Sequence, residues 1–100
     1  MREEKNNETP KEKRVYDFRK VLMETKIEEF EEMDLSKVVA NNVHRQVRDI
    51  GLDELSRELW RNGRVELSQS EAHIFLQLIN SDACDMNIAA VQAAAKVLTQ

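Results

Sequence analysis

The sequence predicts a mainly α, α+β domain: a compact C-terminal set of four helices, preceded by a short β-hairpin-like element and a disordered N-terminal tail. Three observations predict it. Apolar residues recur at spacings of three and four along most of residues 35–98, the period of helices that bury one face. Residues 18–33 alternate instead, which suits strands. Residues 1–13 hold no aliphatic side chain after Met1. A stretch so poor in apolar groups cannot offset its own ordering entropy. One hundred residues suffice for one domain, taken as residues 14–100. At 41% apolar the core is modest, so stability is expected to be marginal alone or helped by self-association as a homodimer.

Residues 15–33, VYDFRKVLMETKIEEFEEM, carry two periods. Val21, Met23, Thr25 and Ile27 alternate with Leu22, Glu24, Lys26 and Glu28, as in a half-buried strand. Met23, Ile27, Phe30 and Met33 also stand at helical spacing. Two short strands are the preferred reading and a helix the alternative; no Gly or Asn marks a tight turn. Asp34 can then cap a helix near 35–49. Its stripe is Leu35, Val38, Val39, Val43, Val47 and Ile50, with Lys37, Asn41, His44, Arg45 and Arg48 outward. Gly51 suits a left-handed C-terminal cap.

Asp53 can cap the next helix, near 53–62. Leu52, Leu55, Leu59 and Trp60 form its apolar face, Arg57 and Arg61 lie opposite, and Asn62-Gly63 ends it. Arg64–Leu67 alternates and reads as a short strand that joins the N-terminal ones. Ser68-Gln69-Ser70-Glu71 fits a capping box, in which serine and glutamate satisfy each other's orphan amides. The helix that follows, 69–80, has a wide apolar face from Ala72, Phe75, Leu76, Leu78 and Ile79. Ser81, Asp82 and Asp85 are candidate caps for the last helix, near 85–98, which is apolar around most of its circumference and so predicts several neighbours.

Helix, glycine turn, helix around Asn62-Gly63 is also the outline of a DNA-reading motif. The reading helix would present Gln69, Ser70, Glu71, His73 and Gln77, without one Lys or Arg. The net charge is −4, whereas phosphate binding depends on cations. Nucleic acid is therefore not the expected partner, and a small nucleic-acid-binding regulator using Arg45, Arg48, Arg57, Arg61 and Arg64 is the second reading. Acidic residues interleave with these arginines and give i,i+4 pairs such as Asp53–Arg57. An arginine beside Trp60 would make a stacking or cation–π contact.

His44, His73 and Cys84 are the only His or Cys residues. None stands at a zinc spacing, no intramolecular disulfide can form, and two glycines cannot build a phosphate loop. Cys84 near a helix start is a weak nucleophile candidate, because Asp82 and Asp85 oppose its thiolate. No cofactor, metal or catalytic residue is predicted. No apolar run approaches the ~20 residues that span a bilayer, and the expected location is the cytoplasm.

The strand-like DFRKVLMETKIEEFEEMDLSK, Asp-Leu-Ser-Lys at 34–37, Leu-x3-Leu-Trp-x2-Gly at 55–63 and Val-Glu-Leu-Ser-x-Ser-Glu at 65–71 resemble small proteins encoded by phages and other mobile elements. The resemblance covers residues 18–100. It implies a cytosolic binding or accessory protein without catalytic residues. The expected function is a non-enzymatic protein-binding module that occupies a partner's surface. The candidate partner-binding residues are Phe30 with Glu31 and Glu32, and Trp60 with Arg57 and Arg61. Aromatic and arginine side chains dominate such contacts when exposed; the competing reading of Phe30 and Trp60 is burial in the core.

Overall fold

The computed structural model describes residues 12–99. Most of the expected tail lies outside them; Lys13, expected at its end, belongs to a strand. The elements run β1 (Lys13–Asp17), β2 (Val21–Lys26), β3 (Glu29–Met33), α1 (Ser36–Gln46), α2 (Ile50–Asn62), β4 (Arg64–Ser68), α3 (Gln69–Ile79) and α4 (Ile88–Leu98). The α+β class and the four helices are as predicted.

The ambiguity over residues 15–33 resolves in favour of strands. β2 and β3 form an antiparallel hairpin with Val21 opposite Met33 and Glu24 opposite Phe30. Its turn has no glycine. Glu28 takes the left-handed conformation instead, at φ 64°, and the Glu24 carboxylate accepts from the Glu28 amide at 2.6 Å. A bulge between Glu24 and Lys26 absorbs the odd residue. A left-handed side-chain-bearing residue is strained, so Glu28→Gly is expected to stabilise the domain by about 0.5–1 kcal/mol. Thermal unfolding should show a Tm raised by a few degrees.

β4 does join an N-terminal strand, but not the hairpin. It pairs antiparallel with β1, with Val15 opposite Glu66 and Tyr16 opposite Val65. There are thus two separate two-stranded sheets. Phe18 links them: its amide donates to the Gly63 carbonyl at 3.0 Å, and its carbonyl accepts from the Leu35 amide at 2.8 Å. One residue so ties the start of the hairpin to the α2–β4 corner and to the entry of α1.

Several helix joints differ from the sequence expectation. Asp34 does act at the start of α1, accepting from the Ser36 amide at 2.9 Å and from the Ser36 hydroxyl, which holds its carboxyl below the usual range. α1 ends at Gln46, whose side-chain amide donates to Leu78 O at 2.9 Å. Gly51 is not a C-cap. It lies in the first turn of α2, where its amide donates to the Asp49 carboxylate at 3.0 Å. Asp49, not Asp53, is therefore the cap, and α2 begins earlier than expected. Ile50, assigned to the α1 stripe, is 78% exposed because it opens α2 rather than closing α1. Ser68 and Glu71 form the predicted capping box of α3. α4 starts later than expected, because Asn87, rather than Ser81, Asp82 or Asp85, accepts from the Ala90 amide at 2.8 Å.

The core is one cluster. Phe18, Leu59, Leu67, Phe75 and Ile79 are fully buried at its centre with Val39 and Val43 of α1. α4 packs against α3 and lays its other flank along β2, which explains its broad apolar circumference. Asn42 is a buried polar joint. Its side-chain oxygen accepts from the Asp85 amide at 3.0 Å and from Arg45 at 2.9 Å, and its amide nitrogen donates to Val38 O. A buried amide satisfied in this way fixes the 81–87 segment against α1.

Candidate functional site

The six predicted partner-binding residues fall on two separate surfaces. Phe30, Glu31 and Glu32 lie on β3, every residue of which is exposed. Arg57, Trp60 and Arg61 lie on α2. Neither aromatic is core: Phe30 is 56% and Trp60 45% exposed.

Pairing in the hairpin decides what accompanies Phe30. Directly opposed residues share a face of the sheet. Glu24 opposes Phe30 and Leu22 opposes Glu32, so Leu22, Glu24, Phe30 and Glu32 stand on the outer face. Glu31 opposes Met23 on the other face and accepts from the Thr25 hydroxyl at 3.2 Å. Sequence neighbours Glu31 and Glu32 are thereby separated, and only Glu32 shares the face of Phe30.

Beside that face runs a groove of about 670 Å³, with β1 on one side, the hairpin on the other and α4 alongside. Its apolar lining includes Val15, Val21, Leu22, Phe30, Ala93 and Val97; Arg14, Lys20 and Lys96 supply positive charge. Asp17 also lines it, but Arg19 engages that carboxylate through two nitrogens, at 3.0 and 2.7 Å. The pairing holds the Asp17 carboxyl down at about 2. Val15 and Leu22 are 56% and 63% exposed. Neither was among the predicted site residues. The signal for Leu22 was its phase: it is apolar on the strand positions opposite to the buried Val21 and Met23.

The α2 surface is more polar and more self-satisfied. A depression of about 320 Å³ is lined by residues that include Asn41, His44, Arg57, Trp60 and Arg61. The expected cation at Trp60 is not an arginine. Lys37 of α1 places Nζ 4.0 Å from the ring centroid and donates to the Trp60 carbonyl at 3.1 Å. A contact of this kind is worth about 0.5–1 kcal/mol when exposed, and here it fastens α1 to the end of α2. The predicted Asp53–Arg57 pair is present at 2.9 Å. Asp53 also bonds to His44 and accepts from Ser56 at 3.2 Å.

Those partners, His44 first and then Arg57, lower the Asp53 carboxyl from 3.8 to about 2. A carboxyl depressed in the folded state stabilises the fold above its unfolded value and loses that contribution as pH falls through the folded one. Stability should therefore drop between pH 3.8 and about 2, with Asp17 contributing in the same window. Acid titration of unfolding free energy should show a shallower loss over that range in Asp53→Asn than in the parent chain.

The remaining chemically capable side chains are spread out. Cys84 is half-buried in the 81–87 segment, and His73 is exposed on α3. Arg45 is tied to Ala83 O at 2.7 Å and to Asp85 at 3.3 Å. Among the described residues no group of three or more His, Cys, Asp or Glu side chains is placed to hold a metal ion. No helix of the described residues is long and apolar enough to cross a membrane. The chain matches no protein-family model, no curated protein and no solved structure. What it does must therefore be argued from its own surface.

Proposed function

We propose that this chain is a non-enzymatic protein-binding module, which acts by occupying a partner's surface through the groove between β1, the hairpin and α4. One observation carries the reading. Val15, Leu22 and Phe30 stand more than half exposed along a single groove that Ala93, Lys96 and Val97 of α4 also line. Isolated exposed apolar residues need no explanation, but a contiguous set rimmed by charge marks interaction surfaces, and an exposed aromatic within it is the usual energetic anchor. The accessory role carried by phage and mobile-element proteins is the setting that the motif resemblance supports. The test is affinity capture from the source organism's lysate with the parent chain and with Leu22→Asp/Phe30→Asp as baits. Both substitutions fall on exposed positions, so the fold should persist. Capture of a defined protein by the parent and its loss by the variant is the expected result. Equal capture by both would remove the groove from the function.

The alternative, nucleic-acid binding through Arg45, Arg48, Arg57, Arg61 and Arg64, has less to support it. Arg45 and Arg57 are already neutralised by Asp85 and Asp53, and the α3 start carries Glu71 in its capping box. Duplex DNA binding should be undetectable by fluorescence anisotropy even at low salt, where phosphate contacts are strongest.

A further inference from the structure

We infer that the groove takes an extended, apolar segment of a partner protein, flanked by acidic residues, which adds as a strand to the open edge of β1. The inference rests on the reading of the groove as a protein-binding surface, and names the mode and the chemistry of the partner. Side chains alternate between the two faces of a strand, so a cavity against one face of β1 would meet every second residue. This groove is lined by Arg14, Val15, Tyr16 and Asp17 in succession, so it runs along the strand's edge, within reach of the backbone. Among the described residues β1 pairs with β4 alone, which leaves its other edge to the groove. The register says what that edge offers. Opposed residues of an antiparallel pair alternately exchange both their hydrogen bonds and turn those groups away. Asp17 stands opposite Arg64, and one step on the Phe18 amide donates to Gly63 O at 3.0 Å. Tyr16 and Arg14 therefore bond toward β4 by alternation, and Val15 and Asp17 turn their amides and carbonyls outward. Such groups are a template for another chain; main-chain bonds then give affinity, and side chains give specificity.

The side chains around the edge set the chemistry of the segment. Val15, Leu22, Phe30, Ala93 and Val97 give it apolar partners. Three cations line the groove, Arg14, Lys20 and Lys96, against one carboxylate, Asp17, which Arg19 engages. Glutamates temper two of the cations: Glu32 stands near Lys20 at the same end of the hairpin, and Glu24 shares the adjoining hollow with Lys96. The positive balance is thus greatest on the β1 side, at Arg14, and a segment that ends in an acid there is favoured over one that ends in a base. The edge strand β3, by contrast, bears the exposed Glu29, Glu31 and Glu32, and charge on an edge strand opposes the addition of another.

The decisive experiment uses the full chain and a fluorescein-labelled peptide, Asp-Val-Thr-Val-Thr-Val-Glu, which brings an acid to Arg14 whichever way the strand runs. The same peptide with lysine at both ends is the control. Fluorescence anisotropy should give a Kd below about 1 mM for the acidic peptide and binding at least about tenfold weaker for the lysine control. Amide hydrogen exchange should find Arg14 and Tyr16 slow in the chain alone, and Val15 and Asp17 slow only with the acidic peptide bound. Val15→Pro removes an outward amide that β4 does not use, where an edge strand tolerates proline, and should weaken the peptide at least about tenfold. Val15→Ala keeps that amide and should bind within about threefold of the parent. If circular dichroism shows Val15→Pro unfolded, the exchange pattern of the parent decides alone. Three results would overturn the proposal: no binding of the acidic peptide at about 1 mM, binding that leaves Val15 and Asp17 unprotected, or equal binding of the two peptides. If it is overturned while Leu22→Asp/Phe30→Asp still abolishes lysate capture, strand addition is wrong and the protein-binding groove stands. If capture is also indifferent to those substitutions, both fail.

Discussion

Phe18→Ala should cost about 3–5 kcal/mol, the range for deleting a fully buried phenylalanine. The Phe18 side chain is wholly buried, and its backbone joins the hairpin to the α2–β4 corner and to α1. A cavity there loosens contacts to both sheets, so little collapse can compensate. Small domains have about 5–15 kcal/mol in total, and this chain is at the small end. Urea denaturation followed by circular dichroism should show a midpoint lowered by a third or more, or a chain already unfolded in buffer. Val15→Ala is the matched control, three residues earlier on β1 and exposed; it should stay within about 0.5 kcal/mol of the parent. Equal effects of the two would mean that Phe18 is not at the centre of the core.

Gly63→Val should be nearly as damaging, for a backbone reason. Gly63 caps α2 in the left-handed region at φ 79°, which a β-branched residue resists. A side chain there also has no room: its first carbon would lie 2.3 Å from Arg19 Cγ and 2.5 Å from Cδ. Arg19 could swing away only by leaving Asp17. Strain of this kind costs about 1–3 kcal/mol, and the Gly63 carbonyl that receives the Phe18 amide would move with it. Gly51→Ala separates the two causes. Gly51 has no positive φ, and an added carbon there would meet only Asp49 at an ordinary 3.6 Å, so in the first turn of α2 alanine should be neutral or mildly stabilising. Thermal melts of the two variants should move in opposite directions, or only the first should move.

Legibility from sequence followed the range of the forces involved. The capping box at Ser68–Glu71 and the stop of α2 at Asn62-Gly63 are settled within four or five residues, and both were readable, whereas the left-handed cap expected at Gly51 falls at Gly63. The hairpin was readable by alternation, although its turn concealed itself by putting Glu28 where glycine is usual. The choice among caps was less legible. Asp49 and Asp53 are equally good acceptors in isolation; in the fold Asp49 accepts from the Gly51 amide, while Asp53, already inside the helix, is bound to His44, Arg57 and Ser56. The candidate site was half legible. For Phe30 and Trp60 the chemistry of an aromatic favoured core over exposed anchor, and both are exposed. Leu22, Val15 and Lys96 were missed because they meet only when the hairpin lies along α4.

The amino-acid order alone set the helical count, the α+β class, the strand period of 21–33 and the ends of α3, since each depends on contacts between near neighbours. Tertiary structure alone decided which strand β4 pairs with, that Phe18 is the joint of the whole domain, and that Glu32 rather than Glu31 shares a face with Phe30. Those outcomes depend on pairing register and on which surfaces remain after the core closes. Residues far apart along the chain settle them together, by competing for the same buried volume.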